Sequence, residues 1–226
     1  MLSFGYVYPI KGLGFSNAYL VEREHYCVLI DTGHQGGGNS IIQAIKSFCP
    51  DKPLKGIILT HYHYDHMAGL ESLGQLYGAD IYAHLEERDY ITRHKAVPRS
   101  QGFLPAIANF ISRIFPSQSY PIDRVVTEGD VIFDLKVIHT PGHTPGSIAL
   151  EDIKTGAIFT GDSLKTNRRG TKILPPSRLY SHDYDEALKS AIRLLNFTEA
   201  TFIFPGHGRP IESPKTLIKT FLDKHE

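Results

Sequence analysis

GIILTHYHYDH, residues 56–66, is the stretch on which the reading of this chain turns. GIILT is short, apolar and β-branched, the pattern of a buried strand, and the residues after it place three imidazoles and a carboxylate within six positions. Along an extended segment alternate side chains share a face. His61 and His63 can therefore grip one ion, while Asp65 and His66, at the following turn, reach a second. A polar surface loop is the plainer reading, but the density of ligand-type side chains makes metal binding the expected use. A closed pair of sites needs more ligands than one loop contains, and they should come from other strand ends. Three residues meet that condition: His143 in VIHTPGHTPGS, Asp162 in AIFTGDS and His207 in FIFPGHGRP. Each follows an apolar run and stands beside glycine, which permits tight turns near a metal. Singly, each reads as well as a loop histidine or a turn aspartate; jointly they complete a set.

The rest of the chain supplies a mixed α/β frame, an α+β class with both element types throughout. Strand-like runs cover Ala18 to Glu22, Tyr26 to Asp31, Gly56 to Thr60, Leu135 to His139, Ser147 to Glu151, Ala157 to Thr160 and Thr201 to Phe204. Helical spacing covers Asn39 to Phe48, Leu70 to Tyr77, Glu86 to Lys95, Ala106 to Ile114, Asp183 to Leu195 and Pro214 to Lys224. Asp183 with Glu186 three residues on is a helix-starting arrangement, and Pro214 after Ser213 marks another start. VLIDTG and IILTHYHYDH in the first half resemble IFTGDS and FIFPGHG in the second, as an internal duplication around one site would. Residues 86–122 break the pattern and are expected to form a helical insertion. Its apolar positions Phe103, Leu104, Ile107, Phe110, Ile111 and Ile114 would pack on the core, cover a substrate channel or meet a second copy in a homodimer.

Composition narrows the function. With Lys+Arg 24 against Asp+Glu 24 there is no global positive field to recruit nucleic acid or an anionic membrane surface. The only cysteines, Cys27 and Cys49, form neither a disulfide framework nor a thiolate metal site, and fit a reducing cytoplasm. Nothing approaches a membrane-spanning run. One domain over residues 1–226 is expected, acting on a small-molecule substrate.

The motifs resemble those of the metallo-β-lactamase superfamily, whose HxHxDH followed by a His, an Asp and a further His is matched in order between Asp31 and His207. The resemblance implies a four-layer αββα sandwich with the metals at one edge. One ion would be held by His61, His63 and His143, the other by Asp65, His66 and His207, with Asp162 bridging. A carboxylate suits the bridge because its two oxygens point apart, which imidazole nitrogens cannot match. Asp31 in LIDTG matches the first family motif and would support the site without ligating. Among branches, the short chain looks most like the glyoxalase II-like small hydrolases. It departs from glyoxalase II proper in the 19 residues that follow His207 (226 minus 207), where that enzyme has a glutathione-binding helical extension, and in His66-Met67-Ala68-Gly69, which keeps only part of the usual Gly-Gly. Both departures count against glutathione thioesters as the substrate.

The chemistry such a centre implies is hydrolysis: a metal-bridging hydroxide attacks a thioester, lactone or ester carbonyl, with Asp65 as the catalytic residue that orients it or relays a proton. Imidazole and carboxylate ligands favour two Zn2+ ions, with iron or manganese open. The rival readings are a mononuclear-iron persulfide dioxygenase, a metal-dependent phosphodiesterase or nuclease, and a non-catalytic metal-binding module. Diiron oxygen reductases are disfavoured, since they usually carry Glu where this chain has His63. Tyr180 and His182 read as the head of the Asp183 helix, and Lys165, Arg168 and Arg169 as solvated charges.

Overall fold

Strand side chains alternate between two apolar environments, and that alternation builds the layers of the computed structural model, which describes residues 5–10, 13–34, 36–94 and 120–225. In the first sheet the order is β1 (Val7–Pro9), β2 (Tyr19–Glu22), β3 (Cys27–Ile30), β4 (Leu54–Ile58), β5 (Asp80–His84) and β6 (Arg124–Val126). In the second it is β14 (Ile211–Glu212), β13 (Phe202–Pro205), β10 (Ile158–Gly161), β9 (Ile148–Asp152), β8 (Leu135–His139) and β7 (Val131–Ile132). A small hairpin, β11 (Lys165–Thr166) with β12 (Ile173–Leu174), stands beside them.

Tyr19, Val21, Val28, Ile30 and Ile58 point to one side of the first sheet and meet Leu135, Val137, Ile148, Leu150, Phe159 and Phe204 from the second. The neighbouring positions Leu20, Leu29 and Ile57 point the other way, onto α1 (Gly38–Phe48) and α3 (Leu70–Tyr77) through Ile41, Ile45, Leu70 and Leu73. On the far side Ile158 and Ile203 meet α5 (Tyr184–Asn196) and α6 (Lys215–His225) through Ala191, Leu195, Ile218 and Phe221. The result is helix, sheet, sheet, helix, the expected αββα sandwich. Between the sheets Phe159 stacks on Phe204 with centroids 4.9 Å apart, and Tyr19 meets both edge-on. Burial of each such ring contributes about 1.5–3 kcal/mol.

All seven expected strands form, within two residues of their expected bounds. The Tyr26 run ends at Ile30 because Asp31 takes a left-handed turn, φ 58°. Asp183 caps α5 by accepting from the Glu186 amide at 3.0 Å, as its spacing predicts. The helix expected over Glu86 to Lys95 is shorter, α4 (Leu85–Ile91), since Arg93 is left-handed at φ 59° and no helix continues through that geometry. The Ala106 to Ile114 helix and the apolar stripe of the insertion lie outside the described residues. The two halves differ in strand pairing. β3, β4, β5 and β6 pair in parallel, whereas β10 with β13 is the parallel pair of the second sheet.

Those parallel pairs position the site. β3 and β4 end side by side, so Asp31 and the His61 loop leave the first sheet at one edge; β10 and β13 end side by side, so Asp162 and His207 leave the second at the same edge. The edges are fastened by the Ile148 amide donating to the Thr60 carbonyl (3.0 Å) and the Tyr19 hydroxyl donating to the Pro205 carbonyl (2.6 Å). Gly161 sits where a Cβ would lie 2.8 Å from the Thr60 Cβ, with φ 48°, so only glycine lets the sheets approach this closely.

Candidate metal centre

Each candidate ligand reaches the centre because its other polar atoms are engaged elsewhere. After β4 the chain stays extended through His63 (φ −64°, ψ 143°), which turns Tyr62 into the core and His61 and His63 toward the second sheet. One turn of helix, α2 (Tyr64–Met67), then swings Asp65 and His66 into line. Asp31, 2% exposed, accepts from the Thr60 amide, the Thr60 hydroxyl and the His66 Nδ1–H, each at 2.8 Å. Because the Thr60 hydroxyl gives its proton to Asp31, it can only accept from His61 Nδ1 at 3.0 Å. His61 Nε2 is thus left as a bare lone pair, buried and without a hydrogen-bond partner. His207 Nδ1 donates to the Phe15 carbonyl at 2.7 Å, and His143 Nδ1 lies 3.2 Å from the Ser181 hydroxyl. In each of these four rings one nitrogen is held from outside and the other faces inward.

The inward atoms converge. His61, His63 and His143 form one group, Asp65, His66 and His207 a second, and His61, His66 and Asp162 a third that joins the two, with the ligand atoms of each within 4.8 Å of one another. His63 Nδ1 lies 3.0 Å from His143 Nε2, and His66 Nε2 lies 3.4 Å from His207 Nε2. Asp162 stands between the groups, Oδ2 at 3.4 Å from His143 and 3.2 Å from His207, Oδ1 at 3.4 Å from His66. Asp65 Oδ2 is 3.4 Å from His207 and 3.7 Å from His66. Donor atoms on a tetrahedral ion with bonds of about 2.0–2.1 Å lie about 3.3 Å apart, so these separations fit. Asp162 Oδ1, like His61 Nε2, is buried with no hydrogen-bond partner. Orphaned buried polar atoms on a cluster of imidazoles and carboxylates are what a cation would satisfy.

Electrostatics divide the groups. Burial pushes His143 down to about 3 and lowers His61 and His63 as well, leaving three neutral imidazoles with free lone pairs. In the other group burial also opposes the charged form, but carboxylates outweigh it. Asp31, Asp65 and Asp162 raise His66 to about 9, and hydrogen bonds to Asp162 and Asp65 raise His207 to about 11. Reciprocally, burial would raise Asp65 and Asp162, yet His66 and His207 hold both carboxyls below the usual range. The aspartates demand positive charge, and the neutral histidines offer lone pairs to it.

All seven ligand-type residues expected from sequence are brought together, with Asp31 behind them. Among the described residues, the side chains of Lys165, Arg168, Arg169, Tyr180 and His182 form no hydrogen bond or ion pair with any of the seven. His182 contributes only its backbone amide, donating to the His143 carbonyl at 3.0 Å. Sequence reasoning missed the Phe15 carbonyl, Ser16 (whose hydroxyl donates to the Asp65 carbonyl), Ser181 and Glu87. None of these carried a signal of its own: Glu87 shares a helical face with Ile91, but an acid at such a position reads equally as exposed.

A family model described as the metallo-beta-lactamase superfamily matches residues 12–207. YobT of Bacillus subtilis (strain 168), an uncharacterised protein, is 31% identical over 216 residues, 92% of this chain and 89% of that one. The hydroxyacylglutathione hydrolase GloC of Haemophilus influenzae is 30% identical over 209 residues, 89% of each chain. Among solved structures, TTHA1623 in a di-iron-bound form is similar with a TM-score of 0.68 and 28% identity, covering 91% of this chain and 94% of that one.

Proposed function

The chain belongs to the metallo-β-lactamase superfamily, and we propose that, as a metal-dependent hydrolase, it cleaves an ester-like bond (thioester, lactone or ester) of a small molecule at a centre of two divalent ions. The observation that carries this is the two outer three-ligand groups joined by a third in which Asp162 meets His61 and His66. One ion is assigned to His61, His63 and His143, the other to Asp65, His66 and His207, and Asp162 is shared. Bound there, two divalent ions supply Lewis acidity that lowers the pKa of water toward about 7 and polarises the carbonyl under attack.

The chain's own residues do the rest. Asp65 is the solvent-facing carboxylate of the cluster, its side chain 40% exposed against 8% for Asp162. Held ionised by His66 and His207, it accepts a hydrogen bond from an incoming water, which orients that water or relays its proton. Asp31, Thr60, Ser181 and the Phe15 carbonyl hold the imidazoles in one orientation, so little reorganisation accompanies reaction.

Zinc is the first choice by donor chemistry. Iron is the second, favoured by the 28% identical relative solved with two irons. The relative named for hydroxyacylglutathione hydrolysis is matched over 89% of its own length, which supports restoring glutathione thioesters to the candidate substrates. Buried free thiols at Cys27 and Cys49 support a reducing, cytoplasmic setting, and no helix among the described residues is long and apolar enough to cross a membrane.

The test is turnover of a thioester, lactone, ester and phosphodiester panel by protein loaded separately with Zn2+, Fe2+ or Mn2+, with oxygen uptake followed in parallel. Ester-like hydrolysis is expected, with turnover and occupancy of the second site falling together in Asp65→Ala. Oxygen consumption with a persulfide, phosphodiester cleavage alone, or silence across the panel would overturn the proposal in favour of a dioxygenase, a nuclease or a binding module.

A further inference from the structure

Glu87, on α4, is fully buried, and among the described residues no cation lies within ion-pair distance of it. A carboxyl group in that position is retained against its desolvation only when donors surround it. Three do. The Tyr62 amide donates to Oε2 at 2.7 Å, and the Gly146 amide and the Thr144 hydroxyl donate to Oε1 at 2.7 and 2.8 Å.

The donors are not scattered. Tyr62 lies between His61 and His63; Thr144 follows His143, and Gly146 closes the same loop. One loop leaves β4 of the first sheet and the other joins β8 to β9 of the second, so a single carboxyl group spans both segments that carry one ligand group. None of the bonds reaches Asp65, His66 or His207. Those are held by Ser16, Asp31 and the Phe15 carbonyl. Two further contacts tighten the same link. The Tyr62 ring stacks on Tyr90, one turn along α4, at 4.7 Å. A Cβ on Gly146 would lie 2.8 Å from both the Glu87 Cγ and its backbone nitrogen, so the loop reaches the carboxylate only because that position is glycine.

We propose that Glu87 is a positioning residue that clamps the His61–His63 segment to the His143 loop, and so sets the metal affinity of that half of the centre without setting that of the Asp65, His66, His207 half. This rests on the two-ion reading above. Glutamine is close to glutamate in shape, but its amide nitrogen cannot accept. Glu87→Gln must therefore turn a donor toward either the Tyr62 amide or the Gly146 and Thr144 donors, releasing one loop from the other.

The test is stepwise Zn2+ binding by the metal-free full-length chain, in competition with a chromophoric chelator, repeated with Co2+ to follow the ligand-field spectrum of each step. His63→Ala and His66→Ala identify which step belongs to which half. Glu87→Gln is expected to weaken the His63-dependent step about 10–100-fold, the range for partners that orient metal ligands, and to leave the His66-dependent step within about threefold. Gly146→Ala, which pushes on the clamp without altering the carboxylate, is expected to do the same. Thermal unfolding of the metal-free variants separates a loosened site from a loosened fold. Equal weakening of both steps, or no change in either, overturns the proposal. If the wild-type chain takes up one ion, the two-ion reading falls by itself. Glu87 is then judged on that ion: a His63-dependent ion weakened by Glu87→Gln upholds the clamp, while an unweakened or His63-independent ion, or none, overturns it.

Discussion

Replacing Asp31 by asparagine changes almost no volume, yet it should weaken both ions, by moving ring protons and by removing a negative charge from behind the centre. Asp31 is an acceptor to three donors, with Oδ1 facing the Thr60 amide and Oδ2 facing both the Thr60 hydroxyl and His66 Nδ1. An asparagine that keeps the Thr60 amide bond must point its NH2 at the other two. His66 Nδ1 then accepts, which moves the ring proton to Nε2, the nitrogen aimed at the centre. The Thr60 hydroxyl, now accepting from the amide, donates to His61 Nδ1 and inverts that ring as well. Every hydrogen bond is remade once His66 is neutral, as it is when it ligates an ion; in the metal-free protein, where the carboxylates raise His66 to about 9, the substitution also removes a buried ion-pair partner. The opposite amide orientation sets NH2 against the Thr60 N–H, a buried donor facing a donor, at a cost of about 1–3 kcal/mol, and is disfavoured. Each ion should therefore bind about 10–100-fold more weakly. That is about 1.4–2.7 kcal/mol. Unfolding of the metal-free variant should come earlier than that of wild type, because the buried His66 imidazolium loses a carboxylate partner. Competition titration gives the affinities and differential scanning fluorimetry the stability. Unchanged affinity, or a destabilised chain with unchanged affinity, would refute the tautomer argument.

Gly161→Ala should lower stability by about 2–4 kcal/mol, since its Cβ meets Thr60 at 2.8 Å and the left-handed backbone at φ 48° disfavours any side chain; a chemical-denaturation midpoint equal to wild type would contradict this. In metal-free protein, burial holds Glu87 up at about 7 against an ordinary 4.5, opposed by its three hydrogen bonds and reinforced by Glu86. The folded state then binds more protons than the unfolded state between those values. Stability should fall as pH rises from about 4.5 to about 7, by about 3 kcal/mol from this group, and Glu87→Gln should flatten that window; parallel pH profiles for the two proteins would count against it.

The metal ligands were legible because their signal is local: three imidazoles and a carboxylate follow one apolar run, and each distant partner ends a strand beside glycine. The strands that escaped notice are of two kinds. β1, β6, β7, β11, β12 and β14 are two or three residues long, too short for alternation to register, and β5 begins straight after α3 with only Gly78 and Ala79 between. One-turn α2 is likewise shorter than the helical period can reveal. Glu87 was hidden for a different reason. Its helix could be read, but a buried acid looks like an exposed one until its partners are known, and those lie 25, 57 and 59 residues away. The layer order agrees with the alternation along the strands, whereas the closeness of the two sheets at the site depends on Gly161 against Thr60, a contact across the two halves of the chain.

The most direct measurement is the number of metal ions per chain, by elemental analysis of protein purified without added metal, for wild type and for His66→Ala. A two-ion centre split between His61, His63, His143 and Asp65, His66, His207 predicts about two ions falling toward one. A single iron that His66→Ala leaves in place would contradict the two-ion centre and favour a mononuclear-iron dioxygenase.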